Sequence, residues 1–326
     1  MIMKKNIAII MGGYSSEVAI SIKSGNVVYN NLNKDKFNSF RVLILKEKWV
    51  VLDAQENEYL IDKNDFSFTR NNIKTTFDCV FNAIHGAPGE NGQLLAYFNL
   101  INLKHTSAPF YQMALTFNKR DTLSAVKAYG IKTATSIYLN KGDEINLEKI
   151  IDTVGLPCFI KPNNAGSSYG ISKAHTKTEI LPALEKAYKE DSEILIESFL
   201  DGTEVSVGVI QYKGEIKVLP ITEIVTENDF FDYEAKYEGK SQEITPARIS
   251  LDQQAKIEKM AKKIYGILNI SGFSRSEFIF VNSEPNFIEI NTVPGLTEES
   301  ILPQQAQVAG ISLAELFESA IDNSCL

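Results

Sequence analysis

Arg275-Ser276-Glu277, followed by Phe287-Ile288-Glu289-Ile290-Asn291-Thr292-Val293-Pro294-Gly295, is the stretch on which the reading of this chain turns. Both segments are rich in Phe, Ile and Val and read as strands. Side chains two apart on a strand share a face, so Arg275 and Glu277 point one way, as do Glu289 and Asn291. If the two strands pair as a hairpin, three oxygen ligands and one guanidinium converge on a small volume. Oxygen ligands of this type suit Mg²⁺, which completes its octahedron with water and substrate phosphates. A guanidinium beside the metal suits a developing oxyanion or a phosphoryl group. A solvated strand face with an ion pair is the plain alternative, so the rest of the chain has to decide.

At 326 residues the chain is long enough for two or three domains. Apolar residues make up 44% and charged residues 23%, ordinary values for a globular protein. The net charge of −8 and pI of about 5.2 argue against a general nucleic-acid binder, whose footprint is basic. A local basic site for phosphates stays open. Cys79, Cys158 and Cys325 are far apart and odd in number, with neither metal spacing nor a disulfide framework, so a reducing cytoplasm is the simplest setting. The apolar run 7–11 is too short for a signal-peptide core. No stretch approaches the ~20 apolar residues of a membrane helix, so no membrane span is expected.

Outward from the hairpin, the N-terminal third alternates strand and helix patterns. Residues 6–11 read as a strand broken by Gly12-Gly13, and 15–32 as a helix with Ser15 or Ser16 as N-cap and Glu17 in its first turn. Residues 40–45 form a second strand, 49–52 a short strand within an insertion running to about Thr76, and 78–84 an apolar strand of the buried parallel type. His85-Gly86-Ala87-Pro88-Gly89-Glu90-Asn91-Gly92 leads into a helix to about Leu100. This predicts a doubly wound α/β unit with a parallel sheet over 1–107, with ligands near the strand ends. A central unit, 108–196, has helices over 110–129, a strand at 135–139, a helix at 147–154, and a hairpin of 158–161 with 171–174, then a helix over 177–189. The last unit, 197–326, follows a strand over 193–199. It continues with antiparallel strands at 203–211 and 215–226, a helix over 251–268, the hairpin above and a closing helix over 312–321. Both later units read as α+β. Residues 228–245 are polar, aromatic and aperiodic, a loop length that is usually functional.

Lys161 stands two residues before the loop Asn163-Asn164-Ala165-Gly166-Ser167-Ser168-Tyr169-Gly170, whose N–H groups can approach phosphate oxygens closely. It is neither a Walker A loop nor a GxGxxG fingerprint, and a surface hairpin with a snorkelling lysine also fits. His85, at the end of a buried strand, is a ligand-facing donor or a satisfied loop histidine. Glu17 either stabilises a helix start or holds a substrate ammonium. Phe231-Asp232-Tyr233-Glu234-Ala235-Lys236-Tyr237 reads as a packed amphipathic loop or as a lid bringing Lys236 and Tyr237 over the reacting centre. With no Gly-x-Ser-x-Gly elbow and no Cys/His pairing, the chain does not read as a covalent-nucleophile enzyme. It reads as a device for positioning phosphoryl and acyl groups.

Taken together, these pieces resemble the D-alanine–D-alanine ligase family of the ATP-grasp superfamily. The resemblance runs nearly end to end: Gly12-Gly13 through Glu17-Val18, His85 through Gly92, Lys161-Pro162 through Gly170, Asp232 through Tyr237, Glu289 through Gly295, and Ser300-Ile301-Leu302-Pro303. It implies two α+β ATP-grasp domains after the N-terminal α/β domain. It also implies phosphorylation of one D-alanine carboxylate by ATP, attack by the amine of a second, and release of ADP, phosphate and D-alanyl-D-alanine for peptidoglycan. By the same resemblance, Glu277, Glu289 and Asn291 hold two Mg²⁺ ions, which Mn²⁺ can replace. Lys119 and Lys161 contact phosphates, with Gly166, Ser167 and Ser168 folding over them. Glu197, Ser198, Phe199 and Leu200 line the adenine slot, and Glu204 takes the ribose. Glu17 holds the first D-alanine's ammonium, and His85 lies beside the substrate. Ser300, Ile301 and Lys236 meet the second D-alanine. Arg275 and the Gly295 N–H stabilise the tetrahedral oxyanion, and a cytoplasmic homodimer is implied.

Three departures stand out. The first metal ligand is usually aspartate, and here it is Glu277. Ile301 stands where leucine is common, and the 46–76 segment carries no familiar motif. In this family a tyrosine at Tyr237, linked to Glu17 and Ser167, goes with dipeptide formation, and phenylalanine there with D-alanyl-D-lactate formation. The amide product is therefore expected.

Overall fold

A computed structural model describes residues 4–164, 166, 169–226 and 241–325. The N-terminal sheet has eight strands in the order β6-β5-β4-β3-β2-β1-β7-β8. Here β1 is Lys5–Gly12, β2 Phe37–Ile44, β3 Trp49–Leu52, β4 Glu58–Asp62, β5 Ser67–Arg70, β6 Ile73–Thr75, β7 Cys79–Asn82 and β8 Lys104–His105. Central β1 is apolar on both faces. Ile7 and Ile9 join Val28 and Leu32 around helix α1 (Val18–Asn31), while Ala8 and Ile10 join Leu94, Leu95 and Phe98 of α2 (Gln93–Leu100).

Two expectations need correction. The sheet is mixed: β1, β2, β7 and β8 pair in parallel, but β3 to β6 add an antiparallel meander at its edge. The 46–76 segment folds that way because its turns are too short for a crossover. Asn71 and Asn72, the two residues between β5 and β6, both take positive φ (51° and 62°), as a tight hairpin requires. The N-cap of α1 is Glu17, not Ser15 or Ser16. Ser15 instead accepts from the Glu17 N–H at 3.2 Å and donates to the His85 carbonyl at 3.2 Å.

The second sheet, in the order β11-β10-β12-β9, is antiparallel throughout: β9 Ser136–Asn140, β10 Cys158–Pro162, β11 Ser172–Ala174, β12 Glu193–Ser198. Period-two alternation sorts its faces. Cys158, Ile160, Ile194 and Ile196 form a core of their own with α5 (Leu147–Val154) and α6 (Lys177–Ala187). Phe159, Lys161 and Glu197 lie on the opposite face. Helices α3 (Phe110–Phe117) and α4 (Lys119–Lys127) precede this sheet, separated at Asn118, whose side chain caps α4.

The third sheet runs β16-β15-β13-β17-β18, with β14 also on β13: β13 Thr203–Tyr212, β14 Glu215–Val218, β15 Thr222–Thr226, β16 Ser241–Ile244, β17 Phe273–Val281, β18 Glu284–Asn291. Among the described residues three helices accompany it: α7 (Leu251–Ile267), started by a Ser250/Gln253 capping box, α8 (Ile301–Val308) and α9 (Leu313–Cys325). The last returns to the N-terminal sheet, where Phe317 meets Phe81 edge-on at 5.7 Å. The N- and C-terminal parts therefore share core residues, whereas the central sheet has its own.

Candidate active site

The decisive hairpin forms, closed by Asn282 and Ser283 at positive φ (48° and 64°). From that turn the strands pair as Val281 with Glu284 up to Phe278 with Phe287, and then the register shifts. Ile288 is the extra residue, a β-bulge. Beyond it Glu277 stands opposite Glu289, and Arg275 opposite Asn291. Because side-chain direction has a period of two, one extra residue exchanges faces. Without the bulge Ile288 would share the face of Glu277.

Arg275 Nη1 donates to Glu277 Oε1 and, at 3.2 Å, to Ser206 Oγ. Ser206 donates in turn to Glu277 at 3.3 Å, from directly across the sheet on β13. Lys119, the first residue of α4, reaches Glu289 at 3.3 Å. Its helix start is seated by Asn163, which is fully buried and accepts from the Arg120 N–H at 2.9 Å. Among the described residues there is no cluster of three or more His, Cys, Asp or Glu side chains of metal-binding type. The oxygen donors at this wall are two carboxylates and one amide, Glu277, Glu289 and Asn291. That set suits a hard divalent cation that takes its remaining ligands from water and phosphate.

Lys161 extends from β10 to Glu197 on β12, with Nζ 2.8 Å from Oε2. Burial works against this ammonium, but the charge and hydrogen bond of Glu197, with Glu289 and Glu204 behind it, hold its pKa above the usual lysine value. The other Glu197 oxygen, Oε1, is buried without a hydrogen-bond partner among the described residues. Ser198 accepts from the Thr135 N–H at 3.1 Å, and the Lys173 ammonium sits 4.2 Å from the centre of the Phe199 ring. Leu200 follows in the link between the central and C-terminal sheets.

On the N-terminal rim Glu17 faces Gly166, where a Cβ would lie 2.8 Å from its Oε2, so a larger residue there would have to push the Glu17 carboxylate aside. His85 is buried, with Nδ1 2.8 Å from the Val293 carbonyl oxygen and Nε2 3.0 Å from Ser24 Oγ. Burial pushes its pKa down. Glu90, which sequence reasoning did not assign to the site, lines the same cleft. Burial and then the charge of Glu17 raise its carboxyl to about 8, although the Gly86 N–H donates to it at 2.9 Å. Its signal was present in the 85–92 segment, but burial cannot be read from that segment alone. Ser206 was missed as well; it sits between Val205 and Val207 in an otherwise apolar strand.

On the C-terminal side the Asn291 side-chain oxygen accepts from the Val293 N–H at 2.8 Å. Gly295 lies against Ser300, where a Cβ would be 2.6 Å from Oγ, and Ser300 is the N-cap of α8. Ile301, first in that helix, is buried. Ser167, Ser168, Lys236 and Tyr237 lie outside the described residues. The structure thus brings Glu17, His85, Lys119, Arg275, Glu289, Asn291 and Gly295 to one cleft, with Glu277 hydrogen-bonded to Arg275 beside it. The Lys161–Glu197 pair and Glu204 act on the adjoining electrostatic field.

Residues 6–108 match the family model described as D-ala D-ala ligase N-terminus, and residues 125–322 the one described as D-ala D-ala ligase C-terminus. The chain is 67% identical over 320 residues to the D-alanine–D-alanine ligase of Flavobacterium johnsoniae, covering 98% of this chain and 99% of that one. It is 58% identical to that of Christiangramia forsetii, covering 98% of each. Among solved structures it is similar to the VanG D-Ala:D-Ser ligase of Enterococcus faecalis (TM-score 0.86, 30% identity, 98% of this chain and 99% of that one). It is also similar to the D-alanine–D-alanine ligase of Bacillus anthracis complexed with ATP (TM-score 0.79, 25% identity, 98% and 97%).

Proposed function

This chain belongs to the D-alanine–D-alanine ligase family, and from that premise we propose how its cleft works. The reaction is the ATP-dependent joining of two D-alanines to D-alanyl-D-alanine, a peptidoglycan precursor. A carboxylate oxygen of the first D-alanine attacks the γ-phosphorus of ATP, and ADP leaves. The amine of the second attacks the resulting acylphosphate, a tetrahedral intermediate forms, and phosphate is expelled. Such chemistry needs positioning and charge neutralisation more than a protein nucleophile.

Glu17 receives the first ammonium. Lys119 and Lys161 neutralise phosphate oxygens, with the 166–168 loop over them. The orphan Glu197 Oε1 suits the amino group of adenine, beside Ser198, Phe199 and Leu200, and Glu204 takes the ribose hydroxyls. Ser300, at a helix N-terminus that favours anions, takes the second carboxylate next to Ile301 and Lys236. Arg275 and the Gly295 N–H face the oxygen on which charge develops. Tyr237 favours amide over ester. Glu277, Glu289 and Asn291 would hold two Mg²⁺ ions, or Mn²⁺, supplying charge neutralisation at the phosphates. Family membership also supports three domains, 1–107, 108–196 and 197–326, and a homodimer in the cytoplasm.

The observation that carries this reading is the pairing of Arg275 with Asn291 and of Glu277 with Glu289 on one face. The test is Mg²⁺-dependent phosphate release from ATP with D-alanine or L-alanine, with the product identified by mass. Turnover specific to D-alanine and yielding the dipeptide is expected. ATP binding without D-alanine turnover would overturn the assignment of substrate to this cleft.

A further inference from the structure

Helix α1 buries a stripe of small residues, Ser21, Ser24, Gly25 and Val28, rather than a bulky apolar one. Ser21 ties the helix to the strand ends, accepting from the Gly12 N–H and donating to the Ala83 carbonyl, both at 2.8 Å. Ser24, fully buried, points instead at His85. A carbonyl oxygen can only accept, so the His85 nitrogen facing Val293, Nδ1, carries the ring proton. Burial keeps the ring neutral, against the pull of Glu17. Nε2 is therefore bare and accepts from the Ser24 hydroxyl. The Ser24 oxygen in turn receives the Leu296 N–H at 3.3 Å. The chain of bonds begins at Leu296, passes through Ser24 and His85, and ends at Val293. Its two ends bracket Gly295.

We propose that Ser24 and His85 form a positioning relay that braces the 293–296 turn from the N-terminal sheet and so aims the Gly295 N–H into the cleft. The inference rests on the reading of Gly295 as an oxyanion donor. It gives Ser24 a role in the reaction, and it makes His85 a brace rather than a donor to substrate, because both ring nitrogens are committed within the protein. On its cleft side the same turn is held by Asn291, through the Val293 N–H. The relay holds it from behind, so the donor does not depend on that candidate metal ligand alone. An oxyanion donor acts through its placement, and a displacement of about 1 Å in a reacting site costs about 100-fold.

Two measurements test it. In protein labelled with ¹⁵N in its histidine rings, three in all, His85 should be neutral at pH 7 with the proton on Nδ1. A proton on Nε2, or a doubly protonated ring, overturns the relay, and this readout uses the unmodified protein. In kinetics, Ser24→Ala should lower kcat by about 10- to 100-fold with KM for ATP unchanged, and adding His85→Asn should cost little more. Unchanged kcat, or a loss confined to KM for ATP, overturns it. Arg275→Ala serves as the control. If that variant is inactive while Ser24→Ala is fully active, the relay fails and the oxyanion reading stands. If both are fully active, both fail.

Discussion

Glu277 stands directly opposite Glu289 across β17 and β18 because Ile288 bulges out of the ladder between them and the turn. Deleting Ile288 should remove the bulge and leave a regular ladder in which Glu289 still stands opposite Glu277 and Asn291 opposite Arg275, on the same face. The expected outcome is that Mg²⁺-dependent turnover survives the deletion. Loss of turnover with far-UV circular dichroism retained would show that the bulge itself, and not only the register, shapes the metal-binding face.

Arg275 serves two partners at once, Glu277 and Ser206. Arg275→Ala should lower kcat by about 10²–10³, roughly 3–4 kcal/mol, as for removal of other oxyanion donors. Arg275→Lys should recover only part of this, because an ammonium keeps the charge but not the planar fork. Saturating steady-state kinetics decide the matter, and equal activity of all three proteins would remove Arg275 from the mechanism.

Glu197 is bonded to Lys161 through one oxygen and buries the other without a hydrogen-bond partner among the described residues. Glu197→Gln removes the counter-charge of Lys161 and weakens the acceptor for an amino group. A hydrogen bond to a charged group contributes about 1.5–3 kcal/mol, so ATP affinity measured by calorimetry should fall by about 10- to 100-fold. The preference over GTP, which carries a carbonyl where adenine has its amino group, should shrink too. An unchanged ATP/GTP ratio would place the base elsewhere.

Glu90 titrates at about 8 in the folded protein against an ordinary value of 4.5. Below the lower value both folded and unfolded states hold the proton. Between the two the folded state keeps it while the unfolded chain loses it, so stability falls as pH rises from about 4.5 to about 8. At about 1.4 kcal/mol per unit, the penalty is on the order of a few kcal/mol. Glu90→Gln should therefore raise the Tm of ligand-free protein at pH 8 more than at pH 5. Parallel pH curves for the two proteins would mean that Glu90 is ionised when folded.

Much was legible in the chain because the signals are local. The alternation in residues 158–161 separates a helix-covered face from a cleft face. The apolar period of 147–154 gives α5 with the bounds expected, and Arg275, Glu277, Glu289 and Asn291 announce a polar wall on apolar strands. Other features depend on partners far away in sequence. That β3 to β6 extend the sheet in antiparallel fashion depends on short turns, the tightest being the two residues Asn71-Asn72, and the return of Phe317 to Phe81 depends on packing between chain ends. The partners of His85 come from residues 24 and 293, and the raised pKa of Glu90 comes from burial and from Glu17.

The amino-acid sequence by itself determined which residue types alternate on each strand, and hence which chemistry the protein could carry. Only the tertiary structure decided which face each residue takes. Side-chain direction repeats every two residues, so a single bulged residue, Ile288, sets whether two carboxylates meet or point apart.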